Sequence, residues 1–150
     1  MTISTCLIKG KKRHILVDTQ GLLLHGIVTS ADVQDRDGGI LLLPTLFGMF
    51  PFLKKLFADS AYEGPIFHGA LAKILPCLKT EIVKRSDQIK GFLVLPKRWI
   101  PAYAGTSRTI GWLNRCRRLA KDWENLNRTG LACLRLASIR LMLRKLCNPS

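Results

Sequence analysis

Acidic residues are scarce in this 150-residue sequence: 10 Asp and Glu stand against 24 Lys and Arg, a formal net charge of +14. No acid precedes Asp18, and none occurs from Gln88 to Lys121. Such an imbalance predicts a polyanionic partner, DNA or RNA before any other. Aromatic residues are few as well, at 7%, but 47% of the residues are hydrophobic, which excludes a disordered polycation. The five cysteines include no C-x-x-C pair, and no His lies at metal-ligand spacing from any of them. A zinc framework is thereby excluded, and free thiols fit a reducing cytoplasm. A secretory signal is missing too, because "MTISTCLIKGKKRH" places its apolar stretch before its positive charge, so a cytoplasmic location is expected. The uncharged run Gly38 to Leu53 is broken by Pro44 and Pro51 and falls short of a spanning length, so it is read as core, with no membrane partner.

What is present suits one domain with a real core. "RHILVDTQGLLLHGIV", Arg13 to Val28, reads as two short strands around the turn "DTQG", an antiparallel hairpin. "TSADVQDRDGG" suits a loop and a helix start, and "ILLLPTLFGMF" reads as helix with Pro44 as a kink or early-turn residue. "LKKLFADSAY" holds a short strand ending at Asp59, and Pro65 to Leu75 has helical spacing that Pro76 stops. "KTEIVKR" and "GFLVLPKR" return to strand character, and the chain from about Ser107 favours helix. The order of elements predicts an α/β fold with a mixed sheet.

Two constellations carry chemistry. Asp59, at the end of an apolar strand in "FADSAYEG", is placed to hold a divalent ion at a sheet edge; spacing alone favours a cap at the start of a helical turn, where Ser60 and Glu63 have capping-box spacing. The second is basic. Lys97, Arg98, Arg115, Arg117, Arg118 and Lys121 lie in a stretch with no acid, and Lys9, Lys11, Lys12 and Arg13 form a similar cluster. Dense positive charge of this kind contacts phosphates and releases counterions. Asp18 is assigned to its turn, Asp32, Asp35 and Asp37 to loop and cap positions, and His14, His25 and His68 to structural roles. Asn127 to Leu146 reads as a packing helix first and a partner surface second.

Three segments, "KGKKRHILVDTQGLLLHGIVTSADVQDRDGG", "LFADSAYEG" and "WLNRCRRLAKDWENLNRT", together resemble the catalytic domain of bacterial insertion-sequence transposases of the DDE type, in insertion-sequence family five. The resemblance runs from about residue 9 to 146 of a single partial domain, 1–150. It implies an RNase H-like mixed sheet flanked by helices, with two aspartates and a glutamate binding two Mg2+ ions that activate the attacking oxygen and stabilise the leaving one. Asp59 matches the family's second aspartate, which favours catalysis over capping at that position.

The resemblance also exposes departures. The family's first aspartate lies on a strand upstream of "KGRKRHILVD", where this chain has only "MTISTCLI"; Asp18 matches the following, non-catalytic strand. Family members read "RW-x-VERTF-x-WLNRCRRL", whereas here "PAYAGTS", 101–107, stands where the catalytic glutamate is expected. Glu124 lies about three helical turns or more beyond that position, too far to replace it. The expectation is a truncated, altered copy with its first strand missing or replaced by "TISTCLI", inactive alone, binding no Mg2+ productively, and keeping affinity for the DNA backbone. One alternative is a basic module that pairs with an intact transposase subunit and inhibits it. Another is a magnesium nuclease using Asp18, Asp35 and Asp59.

Overall fold

A turn at Gly10 sets the central hairpin. Gly10 takes φ 82°, the left-handed region that such turns demand, and it joins strands β1 (Thr2–Ile8) and β2 (Lys11–Val17) in antiparallel register from Thr2↔Val17 to Ile8↔Lys11. The computed structural model describes residues 1–8, 10–46, 48–83, 109–113, 115–116 and 126–148. The "DTQG" turn forms as expected: the Asp18 carboxylate accepts hydrogen bonds from the Gln20 and Leu22 backbone N–H groups, each at 2.8 Å. It leads into β3 (Leu23–Ser30), antiparallel to β2.

After β3 the chain forms α1 (Asp35–Leu42), whose first turn carries Asp35 and Asp37 at the positive end of the helix dipole. The helix therefore begins before "ILLLPTLFGMF", and Pro44 sits in the 3-10 turn Leu43–Leu46 that follows it. Strand β4 (Lys55–Asp59) runs into a second 3-10 turn, Ser60–Tyr62. Pro65 then opens α2 (Pro65–Ile74) at a position where a missing N–H costs nothing, and Leu75, forced out of helical geometry before Pro76, ends it. Strand β5 (Lys79–Val83), helical residues 109–113 and α3 (Asn127–Cys147) complete the described elements. "GFLVLPKR" lies outside the described residues.

The sheet order is β3-β2-β1-β4-β5, with β1, β4 and β5 mutually parallel. "TISTCLI" thus occupies the central slot, as the replacement of the first strand required, and gives its neighbours a partner on each side. One sheet face packs Ile3, Leu16, Leu56 and Ala58 against α1 and α2 through Leu42, Leu43, Tyr62, Phe67 and Leu71. Two glycines let α1 approach closely: a Cβ on Gly38 would stand 2.1 Å from the His14 ring, and one on Gly39 2.6 Å from the Tyr62 ring. The other face packs Ile15 and Val17 against Leu113, Leu134 and Ala137, and Gly26 makes room where Leu134 crosses β3.

The Gly38–Leu53 run is only partly the core expected of it. Gly38, Gly39, Leu42, Leu43 and Leu46 are buried, but Leu41, Met49 and Phe52 are exposed, because the helical stretch has one face on the sheet and the turn after it has none. Among the described residues no helix is long and apolar enough to cross a membrane.

Candidate active site

Asp59 ends β4, where the chain leaves the sheet. Its side chain is exposed, and Oδ1 accepts from the Ser60 backbone N–H at 2.6 Å and from Ser60 Oγ at 3.2 Å. The carboxylate therefore caps the Ser60–Tyr62 turn. Capping comes from Asp59, not from the Ser60–Glu63 box that the spacing suggested. The geometry leaves its other oxygen, Oδ2, for a different partner.

The neighbours of Asp59 follow from register. Thr2 pairs with Phe57 and Ile3 with Ala58, so the next step along β1 sets Ser4 beside Asp59. Partners in a sheet point to the same face, so Ser4 and Asp59 share the face on which Cys6 meets Leu113 and Leu134. At that position of β1 the chain carries a hydroxyl and not a carboxylate. On the other flank Asp59 pairs with Val83 and Phe57 with Glu81, which puts Glu81 on the same face, one diagonal step away. Glu81 is ion-paired to Lys55, whose ammonium also lies 5.0 Å from the Phe57 ring centroid.

Hard divalent cations need several oxygen ligands at once. Among the described residues no three His, Cys, Asp or Glu side chains converge. Asp59 has a serine on one side and an engaged Glu81 on the other, so the described residues do not fit a pair of metal ions. Asp18 is taken by its turn, and Asp35 is bound to Lys12 Nζ at 3.0 Å. The structure does not bring Asp18, Asp35 and Asp59 together as one ligand set.

The basic positions divide. Strand alternation turns Arg13 inward, 4% exposed, into a small cavity with Ile15, Ile110 and Leu113. Lys12 is spent on Asp35 and on the Val33 carbonyl at 2.8 Å, and Lys11 is half-buried. Arg115 lines an open groove beside α3. Lys9, Lys97, Arg98, Arg117, Arg118 and Lys121, together with the 101–107 segment, lie outside the described residues.

Beneath α1 lies a polar chain that the sequence did not announce. Thr29 Oγ1 donates to the Ser30 carbonyl, so it accepts from His14 Nε2–H at 3.0 Å. His14 Nδ1 then accepts from Thr5 Oγ1 at 3.1 Å, which in turn accepts from the Tyr62 hydroxyl at 2.5 Å. Burial holds the His14 pKa below its usual value, with Asp35 opposing the shift and Lys12 adding to it, and burial raises that of Tyr62. The chain is internally satisfied and buttresses the central strand. His25 is likewise held below its usual value, by burial and then by Arg135, and His68 is exposed.

Solved structures similar in fold include an integrase catalytic core and an intasome chain. The catalytic core domain of BIV integrase superposes with a TM-score of 0.62 at 13% identity, covering 92% of this chain and 79% of that one. A chain of the simian T-cell lymphotropic virus intasome, solved in complex with a PP2A regulatory subunit, superposes at 0.56 and 16% identity; 91% of this chain is covered but only 44% of that one. At such identities the likeness is one of fold, and the fold is α/β and RNase H-like. No curated protein matches the sequence. The family model described as "Transposase DDE domain" matches residues 5–103, a span that takes in most of β1, all of β2 to β5 and Asp59. The chain belongs to the transposase DDE-domain family.

Proposed function

We propose that this chain is an altered copy of an insertion-sequence DDE transposase, of the insertion-sequence family five type, that neither cleaves DNA nor transfers strands by itself and keeps affinity for the phosphate backbone. The observation that carries this reading is the β1–β4 register, in which Ile3 pairs with Ala58 and the residues that follow them are Ser4 and Asp59, on a strand that has no acid. It is supported by the absence of any Asp or Glu from Gln88 to Lys121, where the resemblance expects the third acid. A single carboxylate cannot hold two ions at the roughly 4 Å separation that two-metal chemistry uses. The net charge of +14 supports binding to DNA without chemistry. Incubating the pure chain with supercoiled plasmid and Mg2+ is expected to leave the plasmid closed. Nicking that disappears in Asp59→Ala would refute the reading.

A second reading, a module that pairs with an intact transposase subunit and inhibits it, draws support from α3. Leu136, Ile139, Leu143 and Leu146 are exposed at 3-4-3 spacing along one face, a stripe suited to another protein's helix. Titrating the chain into a transposition reaction tests this, since a bystander leaves the rate unchanged.

A further inference from the structure

One concavity lies away from Asp59. It lies beside the carboxyl-terminal half of α3, a groove of about 640 Å³ between that helix, the β2–β3 turn at Leu22 and the segment holding Trp112 and Arg115. Its floor is apolar, with Ala137 and Leu141, and its walls carry Arg115, Arg140, Arg144 and Lys145. No acidic side chain lines it among the described residues. Arg115, Arg140 and Arg144 form no ion pair among those residues, in contrast to Lys12 and Lys55. Lys145 donates to Gln20 Oε1 at 3.0 Å, which ties the end of α3 to the β2–β3 turn.

Four cations facing one concavity repel each other, and the described residues supply no compensating acid. The arrangement suits a ligand that brings its own negative charge in a row. Arg140 and Arg144 are one helical turn apart, with Cβ atoms about 5–6 Å from each other, close enough to take adjacent phosphates of one strand. Guanidinium groups bind phosphates through paired N–H donors, and the Trp112 ring offers a flat surface for a sugar or base. The groove reaches the β2–β3 turn at Leu22, whereas Asp59 lies on β4, on the far side of β1 from β2.

We infer that this groove is a nucleic-acid backbone site, separate from the Asp59 edge, in which Arg115, Arg140, Arg144 and Lys145 bind consecutive phosphates beside Trp112. The inference rests on the proposed DNA affinity and adds a location to it. Neither the resemblance nor the charge run from Lys97 to Lys121 points to Arg140, Arg144 or Lys145.

The test is fluorescence anisotropy of a labelled DNA duplex with the full chain over a series of salt concentrations. It compares Arg140→Ala/Arg144→Ala with Arg128→Ala/Arg135→Ala, a pair that removes the same charge from exposed positions of the same helix outside the groove. The groove pair is expected to weaken binding at least about tenfold and to reduce the slope of log K against log salt by about 1.8, one contact's worth for each arginine. The control pair is expected to change affinity less than about threefold. Equal losses in both pairs would assign binding to the overall field and overturn the groove while leaving DNA affinity standing. A wild-type chain that fails to bind the duplex, or binds anionic vesicles instead, overturns the groove and the DNA reading together. Circular dichroism of each pair checks that α3 is retained. If it is lost, Arg140→Gln/Arg144→Gln repeats the comparison, and unchanged affinity there also overturns the groove.

Discussion

On one face of the sheet α1 and α2 close over Ile3, Leu16, Leu56 and Ala58, and even the polar atoms beneath them form a satisfied chain from Tyr62 to Thr29. On the other, helical residues 109–113 and α3 cover Ile15 and Val17, and α3 carries apolar residues on its outer side and arginines along a groove. The first face is built to exclude ligands. The second is the one on which Asp59, Ser4 and Glu81 lie and beside which Arg115, Arg140 and Arg144 gather.

The largest effect that would break this comparison is expected from Gly38→Ala. The new methyl group has no room beside the His14 ring, and a loss of about 4 kcal/mol or more, or failure to fold, should appear in urea unfolding. A mild effect would mean that the closed face is looser than its geometry implies. Next, Leu134→Ala should cost about 2–4 kcal/mol because its side chain is fully buried against β3, whereas Leu136→Ala, 66% exposed, should stay within about 0.5 kcal/mol. Equal costs would show that the outer stripe of α3 is covered in solution.

Acidification gives a smaller, graded effect. His14 and His25 both have folded pKa values held below the unfolded value of 6.5. The unfolded chain therefore binds more protons as pH falls, and their contribution, complete above pH 6.5, is lost as pH drops below that value through the folded pKa. The urea midpoint should fall between pH 7.5 and 5.5; a rising midpoint would contradict the neutral, buried His14. The smallest expected change is of opposite sign: Gly69→Ala in α2, with open space around the new Cβ, should stabilise by about 0.5–1 kcal/mol.

Much of the fold was legible because its signals are local. Alternation in "RHILV" and "LLHGIVTS", the turn chemistry of Asp18 and Gly21, the helix start at Pro65 and the stop at Pro76 each act within a few residues, and β2, β3 and α2 appear where these place them. The role of Asp59 was legible as a choice between cap and catalyst, and the structure shows the cap while leaving one oxygen available. Arg13 was misleading because a basic run in sequence becomes alternating faces in a strand, so that one of its cations is buried.

By itself the sequence determined the charge excess, the strand and helix segments, the family, and the lack of acids before Asp18 and from Gln88 to Lys121. Only the tertiary structure decided that Ser4 stands beside Asp59, that Glu81 shares their face, and that Arg115 and Arg144 meet across one groove. The physical reason is that these relations depend on strand order and on the crossing of distant elements. Neither leaves a periodic trace in the chain, since residues from distant elements are joined by packing and not by spacing.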